Sequence, residues 1–186
     1  MKKTAVIALM SVFVLASGIT SNASVLDKII LYIPNRIVDI TDIMTMSAGF
    51  GPNVRLNMRA TRVMQLGAGT ETTAKIIKGY NRQYGAALER GSDAAFICIA
   101  SEDTERTEVT GSVKEYWYKS SGVPSLSDPI YSFYTGSRDY WDLSFDLGLG
   151  IVEFGFGLHP VEIADLLTGF FFIDLKGDDF TSEELE

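Results

Sequence analysis

Two periodicities alternate along the chain. From Val25 to Met46 the apolar positions Leu26, Ile29, Ile30, Ile33, Ile37, Ile40 and Ile43 recur at steps of three and four, the spacing of one helical face. Pro34 interrupts that stripe, which predicts a short helix ending near Tyr32 and a second with Pro34 in its first turn, where a missing amide donor costs nothing. Between Asn53 and Gly67 the period becomes two: Val54, Leu56, Met58 and Ala60 alternate with Arg55, Asn57, Arg59 and Thr61. That alternation predicts a half-buried strand. Residues 71–91 fit both periods, since Tyr80, Tyr84 and Leu88 share a helical face while Ala74, Ile76 and Lys78 suit an extended one, and strands are the preferred reading.

Ala94 to Ala100 is a short apolar run and reads as a buried strand. Residues 101–112 and 119–129 are polar and turn-rich and read as loops, with short aromatic strands expected at Val113 to Tyr118 and Ile130 to Tyr134. From Asp139 to Leu158 the pattern alternates again, but Leu143, Phe145, Leu147, Leu149 and Ile151 are odd-numbered whereas Phe154, Phe156 and Leu158 are even, so the face flips near Val152 and Glu153 as a bulge requires. A last helix is expected after His159 and Pro160, with Ile163, Leu166, Leu167 and Phe170 on one face and Glu162 and Asp165 near its start. These elements predict an α+β fold: a mostly antiparallel sheet of about six strands with amphipathic helices at both ends.

Residues 1–23 change the picture of where that fold works. Two lysines, an uncharged apolar run from Ala5 to Ile19, and Ser21 and Ala23 before Ser24 form the layout of a secretory signal peptide cleaved after Ala23. The run is shorter than the roughly 20 residues that cross a hydrocarbon core, although an uncleaved, tilted anchor is the alternative. The expected organisation is therefore a signal peptide over 1–23, one domain over 24–175 and an acidic tail over 176–186, with the product in the periplasm or cell envelope. Lipidation is excluded at the LASG box, because Ile19 stands where the acylated Cys would be. Cleavage removes two lysines and no acid, leaving 14 basic against 24 acidic residues. Such a chain has no bulk attraction for nucleic acid or for anionic lipid.

The candidate chemistry is sparse. With one Cys and one His, neither an internal disulfide nor a Cys/His zinc site can form, and no metal or other cofactor is expected. His159 is the sole imidazole, a possible general base or a polar group at a helix start, and Cys98 within FICIA reads as a small buried hydrophobe. Arg55 and Arg59 share one strand face and could bind an anion or pair with acids. Trp117, Tyr118 and Trp141 belong to an aromatic window that could stack on sugars or form core pairs. The glycines at 148, 150, 155 and 157 suggest a surface for close packing, here by the two terminal helices. The C-terminal acids lack the spacing of a calcium loop.

Aligning Pro34 with Pro160 sets Ile37 on Ile163 and Asp39 on Asp165, an internal echo between the two ends. Together, IPNRIVDITDI and GFGLHPVEIADLLTGFFFIDLKGDD resemble a group of small exported, lipoprotein-like bacterial envelope proteins of unknown function. The resemblance covers the two ends only, implies an envelope location and carries no reaction. Two functions follow as expectations. One is a non-catalytic exported envelope protein docking to a membrane surface or protein partner through apolar helical faces; the other is a soluble periplasmic binding module or hydrolase for a glycan or cell-wall ligand, using Arg55, Arg59, Trp117, Tyr118, Trp141 and His159.

Overall fold

The computed structural model describes residues 31–171, 173 and 175–177. The expected signal peptide, the helix before Leu31 and the tail beyond Gly177 lie outside them. In chain order the elements are helix α1 (Tyr32–Asp42), strands β1 (Met44–Arg59), β2 (Gln65–Lys78), β3 (Tyr84–Ile97), β4 (Ile99–Gly111) and β5 (Tyr116–Gly122), a 3-10 turn at Pro129–Tyr131, strand β6 (Leu143–Leu158) and helix α2 (Pro160–Gly169). The six strands form one antiparallel sheet in the order β5-β4-β3-β2-β1-β6. The chain divides into two compact units: the sheet with its connections, from Asp42 to Pro160, and a helical unit drawn from the segments on either side.

Within the sheet the alternation has the expected period and the opposite sense. Val54, Leu56 and Met58 are exposed, whereas Asn53, Arg55 and Asn57 are buried. The same holds for β2, where Glu71, Thr73 and Lys75 point inward and Ile76 is 74% exposed. Among the described residues nine apolar side chains are buried, against twenty-two polar or charged ones. A period-two pattern says that a strand has two faces but not which is covered. Here the covered face is the polar one.

Curvature closes that face. β1 is bulged against β6 between Phe50 and Asn53, at Gly51 and Pro52. β6 turns back on itself about Gly150, so that a Cβ on Gly155 would lie 2.7 Å from Asp146 Oδ1 and one on Gly157 3.5 Å from Ser144 Cβ. Its inward positions are Ser144, Asp146 and Gly148 before the turn and Glu153, Gly155 and Gly157 after it, while Leu149, Gly150, Ile151 and Val152 between them are all exposed. The flip visible in the sequence is this corner. The glycines do make close approaches, but to polar interior groups: a Cβ on Gly148 would meet Asn53 and Arg55, and one on Gly155 would meet Ser47. Gly150 is different, with open space around it among the described residues and a φ of +73°.

Apolar cores are small. Tyr118, Ile130, Tyr131 and Tyr140 form one, with edge-on ring contacts of Tyr131 to Tyr118 and Tyr140. Ile77, Ala87 and Val113 form another. In the helical unit Asn35, Arg36, Asp39, Glu162, Asp165 and Lys176 are buried while Ile33, Ile37, Ile40, Leu167, Phe170 and Phe171 are exposed. Gly169 lets α2 approach the Arg36 guanidinium of α1, which a Cβ would strike. Glu162 pairs with Lys176, and Asp165 accepts from the backbone N–H groups of Leu175 and Lys176.

Several expectations need correction. Residues 101–112 are not a loop but most of β4, unrecognisable as a strand because its inward side chains are Glu102, Thr104 and Arg106 rather than apolar ones. The strand expected at Val113 to Tyr118 is β5, displaced to Tyr116–Gly122, and takes in the first residues of the loop expected from 119. Ile130 to Tyr134 holds a 3-10 turn begun by Asp128, whose side chain accepts from the Ile130 N–H. Residues 71–91 do take the preferred reading, as parts of two strands joined by a tight turn where Asn81 and Arg82 have left-handed φ values of 53° and 57°. The run Ala94 to Ala100 is not a buried strand: it spans the β3–β4 turn, and Cys98 is exposed there. Pro34 stands in the first turn of α1, as expected of the second helix, and the short helix expected before it lies outside the described residues.

The left-handed backbone, not crowding, makes Gly150 a glycine. Valine there should cost about 1–2 kcal/mol through the left-handed penalty, with asparagine costing less. Denaturant titration of Gly150→Val and Gly150→Asn checks this, and equal losses for the two would contradict it.

Candidate functional site

The inward face of the sheet is the candidate site, a cavity of about 160 Å³ lined mainly by polar side chains. At its centre Arg55 lies 2.7 Å from Glu71, 2.6 Å from Asp93 and 3.5 Å from Glu153. Lys75 lies 2.5 Å from Glu71, 3.3 Å from Glu89 and 2.8 Å from Glu153, and Arg106 is 2.7 Å from the second oxygen of Glu89. Strand register places Arg55: it faces Gly69 on β2, whose partner on β3 is Asp93, and the missing side chain of Gly69 leaves the space that the Cβ and Cγ of Arg55 fill. Asn57 completes the group by donating to Asp93.

This group holds four carboxyls and three cations. Burial, with Glu89 nearby, pushes the Glu71 carboxyl up to about 9 against the pull of Lys75 and Arg55. Glu153, by contrast, is lowered: burial is outweighed by hydrogen bonding from Glu71 and by Lys75. A shared proton between two neighbouring carboxyls is the ordinary consequence of crowding like charges.

A second group is supplied by the connection between β5 and β6. Arg59 donates to Asp142 and Ser144, both at 2.8 Å, and Arg138 pairs with Glu102 and donates to Tyr116. Burial would raise the Asp142 carboxyl, but Arg59 and Arg62 hold it down at about 2. His159 is buried with Nδ1 2.9 Å from Asp139 Oδ2 and its ring tilted against Tyr80, and its Nε2 meets no hydrogen-bond partner among the described residues. Imidazole and carboxylate without a hydroxyl or thiol at Nε2 make an oriented ring, not a nucleophilic dyad.

The sequence-derived residues therefore separate. Arg55, Arg59 and His159 line the cavity. Tyr118 belongs to the aromatic cluster, Trp141 stacks edge-on beside Tyr140, and Trp117 stands 71% exposed on the opposite face, its Nε1 donating to Asp103. No single sugar platform is assembled. The acids and cations paired with Arg55 and Arg59 escaped the sequence reading, although their alternation with glycine on one face was a usable signal, since a concave face needs small side chains between large ones. Among the described residues no group of His, Cys, Asp and Glu could hold a metal ion. Comparison with family models, with curated proteins and with solved structures finds no match to this chain.

Removing one member of the central group should be more damaging than removing several. Lys75→Met leaves Glu89 and Glu153 without their shared cation and should cost about 3–5 kcal/mol, whereas Lys75→Met with Glu89→Leu and Glu153→Leu should recover much of it. Denaturant titration measures both.

Asp142 and Glu71 act on stability with opposite signs. Asp142 titrates lower folded than unfolded, so its stabilisation is present above about pH 4 and is lost as pH falls towards 2. Glu71 titrates higher folded than unfolded, so its contribution is full below about pH 4 and declines as pH rises towards 9. Stability should therefore peak in mildly acidic buffer, and Glu71→Gln, which mimics the protonated acid, should flatten the alkaline limb in thermal melts between pH 5 and 9.

Proposed function

We propose that this is a non-catalytic exported envelope protein seated in the interfacial layer of a membrane, held by the apolar outer surface of its sheet and the apolar faces of its helices. The observation that carries the reading is the inversion of polarity. On β6 alone Leu143, Phe145, Leu147, Leu149, Ile151, Val152, Phe154 and Phe156 point outward and are between 41% and 78% exposed. Covering half-exposed side chains of this size contributes on the order of 1 kcal/mol each, and for one strand the total approaches the whole net stability of a domain, about 5–15 kcal/mol. Polar side chains inside and apolar ones outside are the pattern of strands in contact with lipid.

The outer surface is not uniform. β6 and β1 carry no outward charge, whereas β4 and β5 present Asp103, Glu105 and Lys119. Such a division suits a sheet lying with β6, β1 and β2 towards lipid and β4 and β5 towards water. A sheet whose β5 and β6 edges are unpaired among the described residues does not suit the hydrocarbon centre, where free backbone groups go unsatisfied. No described helix is long and apolar enough to cross a membrane. The exposed isoleucines of α1 support the helical docking expected from the sequence, and the sheet has a larger apolar surface of its own. The exported location rests on the N-terminal pattern and on the resemblance of the two chain ends to envelope proteins.

Cell fractionation tests the reading. The protein should sediment with membranes, resist extraction by high salt, since its attachment is apolar, and be released by detergent. Leu147→Asp on the outward face should shift it to the soluble fraction. Recovery of the unmodified protein as a detergent-free soluble monomer would refute membrane seating.

A further inference from the structure

Where β6 folds back at Gly150 and β1 bends at its bulge, the inward face holds a trough. Its floor is Gly155 and Gly157, which pair with Ser47 and Thr45 on β1. Asp146, from the other arm of β6, comes over the same floor: a Cβ on Gly155 would lie 2.5 Å from Ser47 Oγ and 2.7 Å from Asp146 Oδ1, and one on Gly157 would lie 2.5 Å from Thr45 Oγ1. Two glycine hydrogens therefore stand where side chains would fill the space beneath three oxygens. Thr45, Ser47 and Asp146 occupy inward positions, line the cavity and are only partly covered.

These oxygens differ from their surroundings in having no partner. Arg55, Lys75, Arg106 and Arg138 are each matched by carboxylates, and Arg59 is held by Asp142 and Ser144. Among the described residues neither a hydrogen bond nor an ion pair reaches Thr45 Oγ1, Ser47 Oγ or the Asp146 carboxyl, and the second terminal nitrogen of Arg59 is unused as well. Burial raises the Asp146 carboxyl against the pull of Arg59 and Arg55, as suits an acid whose cations stand at a distance. Further along β6, His159 lines the same cavity and is 2% exposed, with Nδ1 at Asp139 and Nε2 without a partner among the described residues. Polar groups enclosed in this way call for partners.

We propose that the trough is a binding site for a small neutral polyol, a chain of three or four hydroxyl-bearing carbons that donates to Asp146 and exchanges hydrogen bonds with Ser47 and Thr45. Charge and size select that class. The Asp146 carboxylate offers acceptors and Arg59 offers a donor, and a hydroxyl serves both. Arg55 and Arg59 disfavour a cationic ligand, and Asp146 disfavours an anionic one. Ser47 and Thr45 are two residues apart on one strand, about 7 Å, which is the span of a short polyol. A cavity of roughly 150 Å³ holds one benzene ring, so this one, at about 160 Å³, suits a ligand of about six to eight heavy atoms. The proposal does not depend on membrane seating.

Saturation-transfer NMR on the full-length protein, in detergent where it is recovered with membranes, tests this with erythritol as the probe and butylammonium and butyrate as charged controls. Erythritol should bind saturably and the two ions should not. Ser47→Ala and Thr45→Val each remove one hydroxyl and should weaken erythritol several-fold, while Asp146→Leu should weaken it by roughly tenfold or more. Gly155→Ala fills the trough and should abolish binding; Thr45→Val, nearly isosteric, keeps the test open should the alanine variant fail to fold, with far-UV spectra as the check. No saturable erythritol binding would overturn the proposal and leave the trough to water. Preference for either ion would overturn the ligand class. Erythritol binding that none of the variants weakens would put the polyol elsewhere and overturn the site.

Discussion

The structure depends on the sealing of a charged face inside a folded sheet. Once β6 turns at Gly150 and β1 at its bulge, Arg55 and Lys75 are buried and Arg106 largely so, and they pair with Glu71, Glu89, Asp93 and Glu153. Every other feature of the sheet serves that closure. Gly69, Gly148 and Gly155 supply the space that arginine and carboxylate side chains fill, and the segment between β5 and β6 brings Arg138 and Asp142 to pair with Glu102 and Arg59. Buried ion pairs of this kind roughly break even against their desolvation, so they specify the arrangement more than they stabilise it. Net stability must come from the backbone ladders, the tyrosine cluster and whatever covers the outer face.

That requirement links the interior to the exterior. In water an outward face as apolar as that of β6 would favour inversion, with the leucines and phenylalanines inside and the arginines solvated. An apolar surrounding removes the incentive, and it also makes the charged interior obligatory, because an outward arginine would then be the costly choice. In the proposed seating the polar outer residues of β4 and β5 mark where that surrounding ends, and interior pairing and exterior hydrophobicity are two consequences of one environment.

Much of the sheet was legible in the sequence, for reasons that also explain what was not. Period two in Asn53 to Gly67 and in Leu143 to Leu158 located β1 and β6, and the parity change in the latter located its corner. Alternation is symmetric between faces, so it could not say that Arg55 and Arg59 point inward, and a soluble-protein assumption chose the other sense. β4 was missed because polar side chains occupy both its faces, leaving no contrast for a pattern to register. Cys98 was placed in a buried strand because FICIA is apolar, and apolar turns are uncommon in water. Of the candidate site, Arg55, Arg59 and His159 were found as individuals; their partners lie 16 to 98 residues away, and only the register joins them.

The helical unit provides an independent check on what sets the polarity. A helix, unlike a strand fixed in a sheet, can rotate about its axis to choose which face it buries, at little cost to its own hydrogen bonds. α1 carries Ile33, Ile37 and Ile40 on one side and Asn35, Arg36 and Asp39 on the other, and it buries the polar side. α2 buries Glu162 and Asp165 and exposes Leu167. Sheet curvature cannot impose that choice on helices of a separate unit. The Pro34 and Pro160 echo has the same meaning: Asp39 and Asp165, aligned by it, are both buried, while Ile37 and Ile163 are both exposed. Two kinds of secondary structure obey one inverted rule, and the proposed membrane seating accounts for both with a single cause, the solvent and not the fold.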